Sequence, residues 1–293
     1  MNLSKTRNCP ICGGRPANIV FPFATMFNAV LYNYLKCSSC ASVFVDPVPD
    51  NQTFSRMYAK ADYHDRYYDC KENQFYTESV DLLKQYLSSG SLVLDYGCGT
   101  GDFLRALDTA GYIPFGVEFD EDAARSAGEH AGCSALSVVD FLALSAKPTF
   151  DAIHFGDVLE HLPDPLGTLR ELTGYLNEGG ILFVEGPLEI NPSPVFWVSR
   201  AIGLIKKFVR PNFIPTDAPT HLFRTAAPQQ LAFLKRVGKN LTLKQFRIYD
   251  TGWPYVGGGI IKGSVAWFAV LLSGKSIFGV TFGNRFQAIC KTQ

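Results

Sequence analysis

From residue 91 onward, short apolar runs alternate with stretches of helical spacing. SLVLD is an apolar run that ends in an acid, DFLRALDTAG has a helical pattern closed by Gly111, and IPFGVEFD is a second strand. DEDAARSAGEHAG follows as a helix, with Asp120 as its N-cap. FDAIHF predicts a further strand, PLGTLRELTGYL a helix opened by Pro165, and GGILFVE the next strand. Such alternation predicts an α/β fold, a doubly wound parallel sheet with helices on both faces. Upstream, Phe75, Val80, Leu83 and Leu87 recur at helical spacing across Phe75–Ser88. Earlier still, the Val-, Phe- and Tyr-rich stretch from Ile19 to Leu35 predicts strands.

Two later stretches have a different pattern. In VFWVSRAIGLIKKFVR, plotted at about 100° per residue, Ser199, Arg200, Gly203, Lys206, Lys207 and Arg210 share one side. The rest of that helix is apolar and carries Trp197, and its only charges are basic, which fits an interfacial helix. GSVAWFAVLLSG, between Lys262 and Lys275, is too short to span a bilayer but long enough to dip into one. Both stretches also fit a second reading, as a lid packed over the sheet.

The 293 residues are 47% apolar and 18% charged, enough for a globular core and too apolar for global disorder. No apolar run long enough to span a membrane lacks a charge, and MNLSKTRNCPICGG has no apolar stretch of a secretory signal, so a cytoplasmic location is expected. Lys+Arg and Asp+Glu both number 27, but they are not mixed evenly. Residues 1–45 hold four basic side chains and no acid, 46–189 hold nine basic and 25 acidic, and 190–293 hold fourteen basic and two acidic. A basic final third points to an anionic surface or substrate, or to attraction by the acidic half of the same chain.

Cys9 and Cys12 form one C-x2-C pair and Cys37 and Cys40 a second, 24 residues apart. Two such knuckles present four thiolates to one tetrahedral zinc, and this closed set leaves no open position for catalysis. A structural Zn2+ is the expectation, in a zinc ribbon over residues 1–48. The ribbon's few cations argue against strong phosphate binding, so nucleic acid is a weak candidate partner.

VLDYGCGTGDFL carries the densest chemical signal. A strand ends at Asp95, and Gly97, Gly99 and Gly101 lead the backbone into a helix, so a ligand can lie against the main chain. A dinucleotide loop wants its third glycine one residue later, where Asp102 stands; an acid there suits a cationic ligand better than a pyrophosphate. The next strand ends in Glu118, 23 residues after Asp95, where a carboxylate can accept ribose hydroxyls.

This loop resembles the first motif of class I S-adenosylmethionine (SAM)-dependent methyltransferases, and GVEFD resembles their second. FDAIHFGDVLEHLPDPLGTLRELTGYLNEGGILFVE resembles their fourth and fifth strands. The resemblance covers roughly residues 75–190 and implies a Rossmann-like sheet over 91–293, SAM as methyl donor, and 49–90 as a helical cofactor cover. It implies that Asp95, Gly97, Gly99 and Gly101 surround the methionine part. Glu118 would bind the ribose, Phe119 would lie near the adenine, and Asp140 and Phe141 would flank its edge. Phe155, Gly156 and Asp157 would close the pocket.

The paired cysteines, the YHDRYYD stretch and DAPTHLFRTAAPQQL further resemble methyltransferases of bacterial sugar and surface-polysaccharide biosynthesis. Those that methylate carbon usually carry a His-Glu-His run, whereas here Thr220 precedes His221, which weighs against C-methylation. A small, glycan-linked or lipid-linked acceptor is therefore expected; an RNA methyltransferase and a non-catalytic SAM-binding protein are the alternatives. Methyl transfer to a hydroxyl or amine needs alignment and a base. His221, in the insertion 187–224, and His161, in the Glu-His-Leu motif, are the candidate bases. His64 is placed at the entrance by the resemblance, His130 at a helix end, and His154 in a packed core. If the basic helix docks, the protein sits peripherally at the inner membrane surface.

Overall fold

The computed structural model describes residues 6–58, 74–238 and 240–293. His64, the rest of the tyrosine-rich YHDRYYD stretch, and Cys70 lie outside the described residues. The chain opens with antiparallel strands β1 (Pro16–Phe27), β2 (Val30–Cys37) and β3 (Val43–Asp46). Helix α1 (Asn51–Tyr58) starts where the Asp50 carboxylate accepts the Thr53 N–H at 2.8 Å. Helix α2 (Gln74–Leu83) occupies the predicted position but ends four residues short of Leu87, which still packs on the core and bonds back to the Leu83 carbonyl through a turn.

The predicted alternation then appears in full as β4 (Leu92–Tyr96), α3 (Asp102–Thr109), β5 (Ile113–Glu118), α4 (Glu121–Ala131), β6 (Ser134–Ser137), α5 (Val138–Ala143), β7 (Phe150–Gly156), α6 (Pro165–Thr173) and β8 (Leu176–Pro187). Local chemistry sets the boundaries. Asp120 caps α4 through the Ala123 N–H at 2.9 Å, and Asp164 caps α6 ahead of Pro165. The remaining elements are α7 (Pro194–Val209), β9 (Phe223–Arg224), α8 (Ala227–Leu234), β10 (Leu241–Tyr249), α9 (Gly259–Leu272), the small hairpin β11 (Ser276–Ile277) and β12 (Val280–Thr281), and β13 (Arg285–Thr292).

The main sheet runs β10-β13-β8-β7-β4-β5-β6. Strands β4 to β8 are parallel, as the alternation predicts, while β13 is antiparallel to both β8 and β10. The sheet is thus mostly rather than wholly parallel, because the chain leaves β10 through α9 and the β11–β12 hairpin and re-enters between β10 and β8 in the opposite direction. Val93, Leu94, Ile153 and Leu182 are fully buried, as expected of strands covered on both faces. The strand order reverses beside β4, whose neighbours are β5 and β7, and the crevice at the carboxyl ends of these strands is where open α/β sheets bind ligands.

The ribbon sheet has order β1-β2-β3-β9, so its fourth strand comes from the end of the insertion 187–224. Arg7 strengthens that seam: its Nε donates to the Val45 carbonyl at 2.8 Å and its guanidinium reaches the Leu222 carbonyl at 3.2 Å. Among the described residues, no helix is long and apolar enough to cross a membrane.

Candidate active site

The two cysteine knuckles converge. Sγ of Cys9 lies 3.7 Å from that of Cys40, Sγ of Cys12 lies 3.4 Å from that of Cys37, and all four are within 4.8 Å of one another. Tetrahedral zinc at ~2.3 Å from each sulfur requires sulfurs about 3.8 Å apart, so the cage fits the ion. The backbone N–H groups of Gly14 and Ser39 donate to Cys12 and Cys37 sulfurs, as thiolates need. A hydrogen bond from Cys9 holds the Cys40 thiol down to about 4, while the same contact and burial raise Cys9. Gly14 permits the approach, since a Cβ there would stand 2.5 Å from Ser39 Oγ.

At the sheet's carboxyl edge, the turn after β4 is built by glycines that L side chains cannot replace. Gly97 has φ 85° and a Cβ would press into Val158; Gly101 has φ 84° and a Cβ would lie 2.6 Å from the Ala127 carbonyl oxygen. The Glu118 carboxylate closes the turn from below, accepting the Gly99 N–H at 2.8 Å and its neighbour Phe119 N–H at 2.6 Å. Above lies an open cleft lined by Gly97, Glu118, Phe119, Asp157 and His161 together with apolar side chains such as Tyr96, Val138 and Leu162. An apolar cleft with a few acids suits a ligand that is cationic at one end and aromatic at the other.

Beneath the cleft, Asp95 does not face the opening. It is buried and accepts a hydrogen bond from His154 Nδ1 at 2.7 Å, while His154 Nε2 lies 3.3 Å from Glu185. Burial alone would lower the His154 pKa, but hydrogen bonds to the two carboxylates raise it to about 9, so the ring is a buried cation. Gln287 and Ser79 complete the hydrogen bonding of Glu185, at 2.8 and 2.9 Å.

At the wall of the cleft, His161 Nδ1 is 2.9 Å from both the Tyr58 hydroxyl and the Thr220 carbonyl oxygen. The His161 and His221 rings meet edge to face, with centroids 4.8 Å apart. His221 Nδ1 stands 3.1 Å from Glu189, which also faces Arg224 at 3.5 Å. Burial pulls His161 down to about 3 and pushes Glu160 up to about 8, leaving a neutral imidazole beside a neutral acid at pH 7. Burial would also raise Glu189, but Arg224 and His221 hold it near 2; burial would lower His221, but Glu189 raises it above its ordinary value. An imidazole made more basic by a carboxylate beside one nitrogen can take a proton from a hydroxyl on the other nitrogen.

Residues 64–199 match a family model described as a methyltransferase domain. A ubiquinone biosynthesis O-methyltransferase from Methylococcus capsulatus is 34% identical over 182 residues, a match covering 57% of this chain and 76% of the relative. The chain belongs to the class I SAM-dependent methyltransferases. A protein of the same name from Xanthomonas campestris pv. campestris is 30% identical over 120 residues, covering 39% of this chain and about half, 49%, of that relative. The magnesium protoporphyrin IX methyltransferase of Synechocystis PCC 6803 with bound SAH shares the fold, with TM-score 0.53 and 14% identity over 83% of this chain and 98% of that one. The relatives carry the name of a ubiquinone-biosynthesis enzyme, and what they share with this chain is the methyltransferase family.

Within this methyltransferase, the residues expected from sequence divide into two groups. Gly97, Glu118, Phe119 and Asp157 line the cleft, and Gly99 and Gly101 shape its turn. Asp157 is held in place by Arg285, whose guanidinium donates to both carboxylate oxygens at 2.8 Å. The others stand behind or away from it. Asp95 acts through His154; Phe141 and Phe155 are fully buried in the core; Asp140 faces a separate groove between α4 and β6. Gly156 makes room for a ring rather than a ligand, as a Cβ there would lie 2.6 Å from His154 Cε1. Asp102 likewise turns away, bonded to Thr100 and His130 at 2.7 and 3.0 Å. Cys98 is buried, which raises its thiol pKa and fits a packing role. His154, expected as plain core, is a paired cation. Tyr58 stood out only as part of a tyrosine-rich lead-in and was given no role; Val138, Glu189 and Arg285 had none either, and of these three only Glu189 had a signal, as the last acid before the basic third.

Proposed function

We propose that the protein moves the methyl group of SAM onto a hydroxyl of an acceptor that is small or carried on a lipid or glycan, at the cytoplasmic face of a membrane. The observation that carries this reading is the His221–Glu189 pair, 3.1 Å apart and in ring contact with His161 at the cleft wall. SAM supplies a methyl already activated on a sulfonium. The turn 97–101 would take its amino-acid part, Glu118 its ribose, and Phe119 with Val138 its adenine. His221 takes the acceptor proton on Nε2 as the oxygen–carbon bond forms, and Glu189 neutralises the resulting imidazolium. Tyr58 and Thr220 fix the His161 ring, which walls the acceptor side. A structural Zn2+ on Cys9, Cys12, Cys37 and Cys40 would set the ribbon. The O-methyltransferase names of the relatives support a hydroxyl, and the ribbon followed by YHDRYYD supports a glycan-linked one.

Labelled SAM, incubated with the protein and fractionated cell extract with and without nuclease, tests the reading. The expected result is nuclease-resistant label in an organic-extractable or glycan-bearing product. Label lost to nuclease assigns RNA as substrate; SAM binding without turnover in any fraction makes the protein a binding module. His221→Ala should lower kcat by roughly 10²–10⁴-fold and leave SAM affinity unchanged.

A further inference from the structure

Helix α7 does not cover the cleft: the described residues lining it come from α1, the ends of β4 and β5, the turns after β4, β5 and β7, and the start of α5, and none from 194–210. Its first turn is buried against α9, where Val195 packs on Tyr255, Ala266 and Ala269, and Ser199 Oγ is 2.9 Å from the Tyr255 hydroxyl. Midway it touches β1, with Gly203 set against the Phe21 ring. Beyond that point the helix projects. Phe208 is 89% exposed, and Ile202, Leu204, Ile205 and Val209 are exposed with it. A helix apolar on nearly every side is normally buried.

The neighbouring segments continue the same surface. Ile260 is 90% exposed at the start of α9, Ile261 follows, and Phe278 stands fully exposed at the tip of the β11–β12 hairpin. All three tryptophans of the chain, Trp197, Trp253 and Trp267, are at least half exposed in these segments. Single exposed apolar side chains need no explanation, but a joined group of this extent marks an interaction site. Its charges identify the partner. Segments 194–210 and 253–281 hold Arg200, Lys206, Lys207, Arg210, Lys262 and Lys275 and no acid. Exposed tryptophans, deep apolar side chains and an all-cationic rim match the headgroup and upper acyl region of an anionic bilayer.

The surface is also held firmly to the acceptor side. Asn191, buried between Glu189 and α7, donates to the Thr281 and Gly283 carbonyls at 3.0 and 2.8 Å, and Ser193 donates to buried Asp250 at 2.7 Å. The segment from the base pair to the projecting helix is therefore locked to the hairpin and β10.

We infer that α7, α9 and the β11–β12 hairpin form one composite face that docks on an anionic lipid surface and presents the His221 side of the cleft to it. This deepens the membrane placement in the proposed function and rests on it for its purpose, but docking itself needs no substrate.

The test uses the full chain with vesicles of phosphatidylglycerol and phosphatidylcholine, and with phosphatidylcholine alone. Expected are sedimentation with the anionic vesicles at low salt, a blue shift of tryptophan emission, and release as salt rises. Lys206→Glu with Arg210→Glu should weaken binding at least about thirtyfold. Ile261→Asp with Phe278→Asp should remove the blue shift, and the distant Arg105→Glu should change neither. SAM affinity, measured by calorimetry on each variant, should stay constant, so a failure of docking is distinct from a failure of the methyltransferase reading. Wild-type protein left in the supernatant at low salt overturns the inference. So does binding indifferent to Ile261→Asp with Phe278→Asp, or a stable lipid-free dimer that Phe278→Asp dissolves, which would assign the face to a second copy of the chain.

Discussion

His154, near the end of β7, and His161, in the turn that follows it, are both largely shielded, with side chains 3% and 14% exposed, yet their pKa values move in opposite directions. Burial drives both pKa values down. His154 has Asp95 at 2.7 Å and Glu185 at 3.3 Å, and rises to about 9. His161 has a hydroxyl, a carbonyl and a largely protonated Glu160 around it, and falls to about 3. Beneath the cleft, His154 ties the carboxylates of Asp95, at the end of β4, and Glu185 together. Beside the acceptor, groups are kept neutral or poised, so that a proton can move. The partners within 4 Å, rather than depth, decide which kind of site a buried histidine makes.

The sharpest way to break this contrast is to remove the cation. His154→Phe fits between Phe103 and Phe183, whose ring centroids lie 4.2 and 4.8 Å from the imidazole, but it leaves Asp95 and Glu185 without a counter-ion. Losing one partner of a buried ionic set costs about 3–5 kcal/mol, read as a fall in denaturation midpoint. The pH dependence carries a second signature. His154 has a folded pKa near 9, above its unfolded value of about 6.5, so its stabilisation is complete below pH 6.5 and lost as pH rises through 9. Glu160, near 8, adds to the alkaline fall, so the diagnostic part is the loss between pH 8 and 9. That part should vanish in the variant. An unchanged alkaline slope would mean that His154 is neutral in the fold.

The cofactor half of the molecule was far more legible than the acceptor half, and the reason is physical. A turn that brings backbone against a ligand can be made by few sequences, so Gly97, Gly99 and Gly101 announce it, and Glu118 follows at a strand end fixed by alternation. The acceptor side is assembled from distant pieces: Tyr58 of α1, Glu189 after β8 and His221 ahead of β9. No spacing rule links them. Strand β13 was missed because an antiparallel return has no periodic mark of its own, and with it Arg285 and its grip on Asp157. The residues misplaced from family resemblance, Asp140, Phe141 and Phe155, lie in elements adjacent to the cleft, where a motif gives the neighbourhood but not the direction of a side chain.

The ribbon tests whether the acceptor half depends on a metal that the cofactor half does not touch. Its knuckles are bonded to α8, with Gln229 donating to the Cys40 carbonyl at 2.8 Å and Arg236 to that of Ile11, and β9 completes its sheet two residues after His221. Cys37→Ser should weaken zinc by more than about a hundredfold, measured by metal analysis after dialysis against chelator. Because the cofactor turn lies on other elements, SAM affinity should hold while kcat falls. Equal losses of both would show that the ribbon supports the whole fold and not one side of the cleft.

The smallest and most specific effect belongs to Glu189. If His221 is the base, only its neutral form works, and kcat should rise with pH along a limb set by its pKa. Glu189 raises that pKa above 6.5 in the wild type by its charge and its contact with Nδ1. Glu189→Gln keeps the size and shape of the side chain but removes the charge, so the imidazolium loses its stabiliser and the limb should move to lower pH. The plateau should fall as well, because a less basic imidazole accepts the acceptor proton less readily, though by less than the ~10²-fold expected at the least for losing the base itself. Arg224, facing Glu189 at 3.5 Å, would then confront His221 without the carboxylate between their charges, which pushes the imidazole pKa the same way. A variant that loses activity with no shift of the limb would make Glu189 a purely structural anchor and move the search for the base to His161, whose depressed pKa would leave kcat independent of pH across the neutral range.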